Sequence, residues 1–556
     1  MKWKKLEHNG ILFPPDFETK KIKIKIKGES VDLDINQEEM IYQWAKKKDT
    51  PYALDKVFQK NFLADFAKTF GKKYKKLELD DVDFKNAFNL VDKEKDAKEL
   101  LTKEEKKALA AKRKELREEM KVKFGTGKMD GNEVEIANYM AEPPGIFIGR
   151  GEHPLRGKWK PKVTSKDVTL NLGKEAKVPV GNWGKIVHDQ ESMWMASWTD
   201  YLTQKRKYVW LADTAGIKQD RDKAKYDKAK MLAKEIETIK NKIVKDMQNK
   251  DPKVRRISTV CWLIYRTAMR VGDEKDPDEA DTVGATTLRK EHVTLTSDAI
   301  KFDFLGKDSV RWQETVPAVG NDKQFHENLK ELTAKIKATD EIFGNLTSRD
   351  VNEYYKTVVK GLTAKVFRTF SASTVVSKYL NENGDVKKGS QMEKLYHAKL
   401  ANLEAAIMCN HKRTIPKTFE QSLQKKRDTL KTAEKATPWK KNEEVLKKAE
   451  STKTKTDAQE KKRKERITKI KGMIKKSKAK QKERVEKLRL QLDLTEKTRD
   501  YNLGTSLRNY IDPRIFKSWT DEVTADWEKL YTAALQKKFL WVKSENESWQ
   551  NVSKHY

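Results

Sequence analysis

The chain has 556 residues, of which 37% are charged and 37% fall in the aliphatic, aromatic and sulfur-bearing set. Lys plus Arg total 119 against 85 acidic residues, a formal charge of +34. That surplus points to a polyanionic partner, most simply nucleic acid. No apolar run reaches the ~18 residues of a membrane span.

Length predicts roughly three or four domains. No Gly-x4-Gly-Lys-Ser/Thr loop, His-x3-His or Cys-x2-Cys pair is present, so neither nucleotide hydrolysis nor a dedicated metal site is expected. The opening Met1-Lys2-Trp3-Lys4-Lys5 lacks the apolar stretch of a signal peptide. Cys261 and Cys409 lie in apolar helical contexts, which fits a reducing compartment without a disulfide framework.

In chain order, Ile22, Ile24 and Ile26 alternate with lysines, Gly28 turns the chain, and Val31, Leu33 and Ile35 alternate again. Period two on both sides of a turn predicts a β-hairpin. Residues 37–123 read as helical, with Trp44, Phe58, Phe62 and Phe66 as packing positions. Within them, 102–124 is intensely charged, a solvated face or a helix pair projecting over a duplex. Arg150 stands between Gly149 and Gly151, where backbone and guanidinium can approach a ligand closely. Trp183, Trp194, Trp198 and Trp210 punctuate a β-rich piece ending near Leu211.

A long basic helix is predicted over 220–249, then a second over 254–269 that brings Arg270 to a helix end beside Gly272. Strands follow at 293–295 and 300–304, and Gly306-Lys307-Asp308 turns the chain into a returning strand, placing Lys307 on a hairpin tip. Most hairpin-tip lysines are merely solvated. Thr363 is positioned to cap a helix on which Lys365 and Arg368 share a face. A helix over 392–409 delivers His411, flanked by Lys412 and Arg413, an awkward place for a charged imidazole unless an anion visits. Residues 417–497 are lysine-dominated, with near a/d spacing at Ile467, Ile470, Ile474, Val485, Leu488 and Leu492; this reads as an antiparallel two-helix coiled coil with a polar hinge at 450–459. It carries the last stretch back toward the body. There Tyr510 lies in Gly504 to Arg514, with Arg508 and Arg514 as nearby cations. A tyrosine hydroxyl attacks a phosphodiester only when cations surround both it and the phosphate.

Pro143-Pro144-Gly145, Gly149-Arg150-Gly151-x-His153-Pro154, Phe302 to Ser309, Gly361 to Arg368, Cys409-Asn410-His411 and Asn509-Tyr510-x-Asp512-Pro513-Arg514 occur in this order. Together they resemble the type IB DNA topoisomerases in their eukaryotic-like form, over nearly the whole chain. The resemblance implies an α+β multidomain fold, a bilobed DNA clamp. Its parts would be a mixed β/α N-terminal lobe (1–215), a mainly α catalytic lobe of the tyrosine recombinase/topoisomerase IB type (216–416), a protruding antiparallel coiled-coil linker (417–497) and a C-terminal domain (498–556). Carried over by position, Tyr510 looks like the nucleophile, Arg270, Arg368 and His411 like the phosphate-binding groups, and Lys307 like the general acid. Arg150, Asp308, Asn509 and Lys365 would contact DNA beside the site.

The resemblance implies double-stranded DNA as partner, a monomer, no membrane, and no cofactor, neither ATP nor metal. Two departures stand out. The core begins at residue 1, without the long charged tail usual in eukaryotic members, which reads as a compact archaeal-type form of the cytoplasm and nucleoid or a truncated nuclear one. Ile148 stands where an arginine often precedes Gly149-Arg150. The alternatives are a tyrosine recombinase, which typically has His-x-x-Arg where this chain has Lys365-Val366-Phe367-Arg368, and a non-catalytic DNA clamp.

Overall fold

The computed structural model describes residues 2–149, 151–272, 283–306 and 310–556. The fold mixes helix and sheet in two compact units, the first built mainly from Met1–Asp222, the second from Lys223–Asp273, Gly284–Phe304 and Trp312–Tyr556.

In the first unit, β1 (Leu6–His8) precedes the predicted hairpin, β2 (Ile24–Ile26) and β3 (Glu29–Val31). Lys27 and Gly28 between them both have positive φ, 53° and 85°, the two left-handed residues of a type I′ turn. The second strand stops short of the expected Ile35. Asp34 instead accepts the Gln37 N–H at 2.8 Å while the Gln37 side chain accepts the Asp34 N–H, a capping box that starts α1 (Ile35–Ala45).

The helical stretch that follows is interrupted: α2 (Lys56–Lys68), β4 (Val82–Asp83), α3 (Lys85–Leu100) and α4 (Lys103–Phe124). Trp44 stacks on Phe62 with centroids 4.6 Å apart, over buried Phe58 and Phe66. No residue of α4 is buried, and Leu109 and Leu116 face solvent, so its charge run is a solvated face.

Then come β5 (Thr126–Met129), β6 (Asn132–Ala137), β7 (Gly145–Ile146), β8 (Trp159–Lys160), β9 (Thr169–Asn171), β10 (Lys185–Val187), β11 (Trp194–Thr199) and β12 (Arg206–Leu211). Among the described residues they build a seven-stranded sheet in the order β1-β5-β6-β12-β11-β9-β10, while β7 pairs with β8 and β2 lies between β3 and β4.

Helix α5 (Gly216–Asp246) leads into the second unit. There α6 (Pro252–Thr267) begins with the Asp251 cap and a proline in its first turn, where the missing N–H costs nothing. A three-stranded sheet, β13 (Val293–Leu295), β14 (Ala299–Gly306) and β15 (Val310–Pro317), precedes α7 (Asn321–Thr333), α8 (Ser348–Val358), α9 (Ala364–Asn383) and α10 (Gln391–Met408). Both cysteines are free and buried.

The lysine-rich stretch forms α11 (Phe419–Lys435), α12 (Lys440–Ser451) and α13 (Asp457–Lys497). Arg427 meets Glu496, Glu434 meets Arg489, Glu443 meets Lys478 and Glu450 meets Lys471, so α13 runs antiparallel to both shorter helices. The outgoing arm is thus split in two. Ala449, Ile470 and Ile474 make its small core, and buried Gln481 donates to the Ala433 carbonyl where the arm breaks. A polar residue at a seam position fixes register at some cost in stability.

The chain ends in α14 (Leu503–Asn509), α15 (Pro513–Glu522), α16 (Ala533–Lys538) and α17 (Trp549–Ser553). Phe516, Trp519, Trp527, Phe539 and Trp549 share one core with Val376 and Leu380 of α9 and Ala398, Ala401 and Ala405 of α10. Each fully buried side chain of that size contributes about 1.5–3 kcal/mol, which offsets the cost of association. Residues 1–416 and 498–556, supplied as separate polypeptides, are therefore expected to co-elute as one species. Fragments that fold but elute apart would show that the helices between them hold the end of the chain in place.

Candidate active site

Arg270 lies just past the end of α6. Ala268 takes the left-handed conformation at φ 51°, turning the chain out of the helix. The Arg270 and Val271 carbonyls then accept the Ala285 and Thr286 N–H groups at 2.8 and 2.7 Å. At this crossing a Cβ on Gly284 would come within 2.4 Å of the Gly272 Cα, so only glycine permits the approach. Arg270 is thereby mounted on two strands of backbone held against each other.

Arg368 lies one turn into α9. Thr363 occupies the N-cap position as expected, but its side chain makes no capping bond; the Asn352 side-chain Oδ1 accepts the Ala364 N–H instead. Arg368 is buried and donates Nη2 to the Cys409 carbonyl, while Lys365, expected on the same face, is exposed.

The end of α10 explains why Cys409-Asn410-His411 places an imidazole here. Asn410 is left-handed at φ 51°, its N–H bonds to the Ile407 carbonyl, and the His411 N–H reaches back to Ala406 at 2.8 Å. This is the Schellman pattern, and asparagine is the non-glycine residue that tolerates it best. The His411 carbonyl accepts the Asn502 N–H at 2.7 Å, and Lys412 bridges to Tyr501. The chain therefore re-enters beside the point where it left for the α11–α13 helices.

Tyr510 caps the C-terminus of α14, its N–H bonded to Ser506. Ser506 donates to Asn402 of α10 at 2.9 Å, and Asn402 donates to the Leu503 carbonyl, tying α14 to the helix that presents His411.

Four expected residues come together. The His411 and Tyr510 rings stack with centroids 5.4 Å apart, and the Arg368 guanidinium carbon lies 5.0 Å from the Tyr510 ring centroid. Arg270 is near enough to Arg368 and Tyr510 to interact with both; burial, then the Arg368 charge, push it below the ordinary guanidinium value. Burial, then Arg368, then Arg270, push the His411 imidazole down to about 3, so it is neutral near pH 7. Both its ring nitrogens and Arg368 Nε are buried without a hydrogen-bond partner among the described residues. Buried polar groups are nearly always paired. Three such nitrogens lie beside the Tyr510 ring together with the Arg270 and Arg368 guanidinium groups, a set with the chemistry to bind an oxyanion.

Asn509 is exposed next to Tyr510, its side chain on the Thr505 carbonyl. Lys307, Asp308 and Arg150 lie outside the described residues. Arg514 is not the nearby free cation its spacing implied: it is buried and committed to Asp512 and Asp227. Ser373, which contacts the Tyr510 backbone, carried no sequence signal, and the Cys409 motif gave no hint that its carbonyl would hold Arg368. Among the described residues no cluster of three or more His, Cys, Asp or Glu could hold a metal ion, and no helix is long and apolar enough to cross a membrane.

His411 sets an acid limit. Its native value lies below its unfolded one, so between about pH 6.5 and 3 the unfolded chain binds a proton that the native chain refuses, and stability falls as pH falls. At pH 5 this group alone should cost on the order of 2 kcal/mol. His411→Gln should lose less stability than wild type between pH 8 and pH 5, read as the difference in Tm shift. Equal shifts in the two proteins would refute a neutral, desolvated His411.

The model of the eukaryotic DNA topoisomerase I catalytic core matches residues 214–445, that of the eukaryotic DNA topoisomerase I DNA binding fragment matches 1–211, and a C-terminal topoisomerase domain matches 482–551. DNA topoisomerase 1 beta of Arabidopsis thaliana is 36% identical over 97% of this chain, which spans 58% of that protein. DNA topoisomerase 1 of Candidozyma auris is 33% identical over 99% of the chain and 83% of its own length, and that of Homo sapiens 33% over 97% and 71%. These relatives are plant, fungal and animal, and the archaeal expectation finds no support among them. The chain belongs to the eukaryotic DNA topoisomerase I family.

Proposed function

We propose that the chain relaxes supercoiled double-stranded DNA as a type IB topoisomerase, working as a monomeric two-lobed clamp in the nucleus. The observation that carries the reading is the set of buried nitrogens without partners among the described residues, His411 Nδ1 and Nε2 and Arg368 Nε, packed beside the Tyr510 ring.

Tyr510 attacks phosphorus in line, its phenolic proton passing to solvent water as the O–P bond forms, and negative charge builds on the non-bridging oxygens. Arg270 and Arg368 hold those oxygens, their planar forks matching the phosphate. Neutral His411 adds a hydrogen bond through one ring N–H. The 5′-oxygen departs with a proton from Lys307, leaving a 3′-phosphotyrosyl bond. That bond conserves the phosphodiester's energy, so religation needs neither ATP nor metal. While the strand is open, the duplex turns about the intact strand. Arg150, Asp308, Asn509 and Lys365 hold the DNA beside the scissile phosphate, and the surplus of +34 draws the duplex in. Helices α11–α13 tune rotation.

Relaxation of a plasmid without ATP and with EDTA tests the activity, and Tyr510→Phe tests its chemistry. The variant should bind DNA about as well as wild type while covalent adduct vanishes; adduct persisting in it would move the nucleophile to another tyrosine. Products that join two duplexes, with no relaxation, would favour recombination instead.

Lys307 is tested by leaving group. Lys307→Ala should cleave ordinary DNA ~10²–10⁴-fold more slowly, the usual worth of general acid catalysis, yet cut a 5′-bridging phosphorothiolate almost as fast as wild type, because a thiolate leaves without a proton. Arg270→Ala should recover much less. Equal rescue of both, or none for Lys307→Ala, would remove Lys307 from this role.

A further inference from the structure

Two residues beyond Tyr510, Asp512 is fully buried. Arg514 grips it, Nε lying 3.1 Å from both carboxylate oxygens and Nη2 2.7 Å from Oδ2, while Nη1 reaches Asp227 of α5 at 2.7 Å. Asp512 also accepts the Arg514 N–H at 2.9 Å, capping α15. Its charge is met by these contacts alone.

A further donor is nevertheless present. The Tyr556 hydroxyl donates to Asp512 Oδ2 at 2.8 Å, with its ring beside Phe370 of α9. Ser373, also on α9, joins the same group: its hydroxyl interacts with that of Tyr556 and accepts the Asp512 N–H at 3.0 Å. The same hydroxyl lies 3.4 Å from the Tyr510 carbonyl. The Tyr510 backbone is thus held from both sides against the helix that carries Arg368. Burial, and then the Asp512 carboxylate, keep the Tyr556 hydroxyl protonated well above its ordinary range, so it stays a donor at working pH.

We propose that Tyr556 is a positioning residue for Tyr510, its hydroxyl acting through Asp512 and Ser373 to hold the Tyr510 backbone in register with Arg368. The inference rests on the reading of Tyr510 as nucleophile. Arg514 neutralises Asp512; Tyr556 adds direction, fixing the rotation of the carboxylate between α9 and α15.

The test is single-turnover cleavage by the full chain, at saturating protein, of a duplex whose short cleaved fragment diffuses away and traps the adduct. Tyr556→Phe should lower the cleavage rate constant about 3- to 30-fold, as small displacements of reacting groups do, with DNA affinity and adduct endpoint unchanged. A poorly folded preparation lowers the endpoint and leaves the rate constant alone. Ser373→Ala should slow cleavage similarly, and the double variant should be no more than about twofold slower than the slower single, because both act along one path.

A Tyr556→Phe rate constant equal to wild type, a loss confined to the endpoint, or multiplying effects in the double variant would each overturn the assignment. Should Tyr556→Phe not fold, a wild-type rate constant for Ser373→Ala overturns it equally. Absence of adduct from wild type would instead overturn the nucleophile reading itself, so the two failures are distinguishable.

Discussion

Two guanidinium groups that repel each other are held in one place beside a neutral imidazole and a phenol. Among the described residues Arg368 opposes the charge on Arg270, Arg368 and Arg270 oppose a charge on His411, and no described carboxylate contributes to either. A buried ionic cluster normally recruits a counter-charge. The Asp512 and Asp227 carboxylates are taken by Arg514. On the proposed reading the cluster's positive field is kept for an incoming phosphate, which is electrostatic preorganisation in its simplest form.

Such a cluster persists only if the backbone beneath it cannot relax. Each functional side chain stands on an over-determined junction. Arg270 follows a left-handed turn clamped where Gly272 and Gly284 cross, and His411 follows a Schellman turn whose carbonyl is bound by the returning chain. Arg368 is tied to the Cys409 carbonyl at the end of the same helix that leads to His411. Tyr510 is caught between Ser506, Ser373 and the buried Asp512 group. The apolar core common to α9, α10 and the last helices carries the residual repulsion, and its buried aromatic side chains supply the free energy to do so.

The long α13 helix belongs to this logic through its ends. It starts and stops within one antiparallel packing, and its last turn is fixed by Asp493 and Lys497 against Tyr396 of α10. The chain therefore returns to α10 with little freedom, and Tyr501 and Asn502 pair with the His411 segment a few residues before the tyrosine.

Local pattern determined the elements whose signals are local. Alternating Ile24 and Ile26 made a strand, the Asp251-Pro252 cap started a helix, and the Ile470 and Ile474 spacing formed the long-helix seam. The Asp34 to Gln37 capping box was equally local, and it overrode the alternation that ran on to Ile35. The resemblance carried by motif order put forward Arg270, Arg368, His411 and Tyr510, which the fold brings together. What the sequence could not express is who meets whom across more than a hundred residues. Arg514 read as a cation for the site until packing gave it Asp512 and Asp227; Ser373 and Tyr556 had no motif at all, and Cys409 stood in one that said nothing of its carbonyl. Hydrogen-bond partners of buried groups are chosen by tertiary proximity, and only the folded chain decides which donors are spent on structure and which are left vacant.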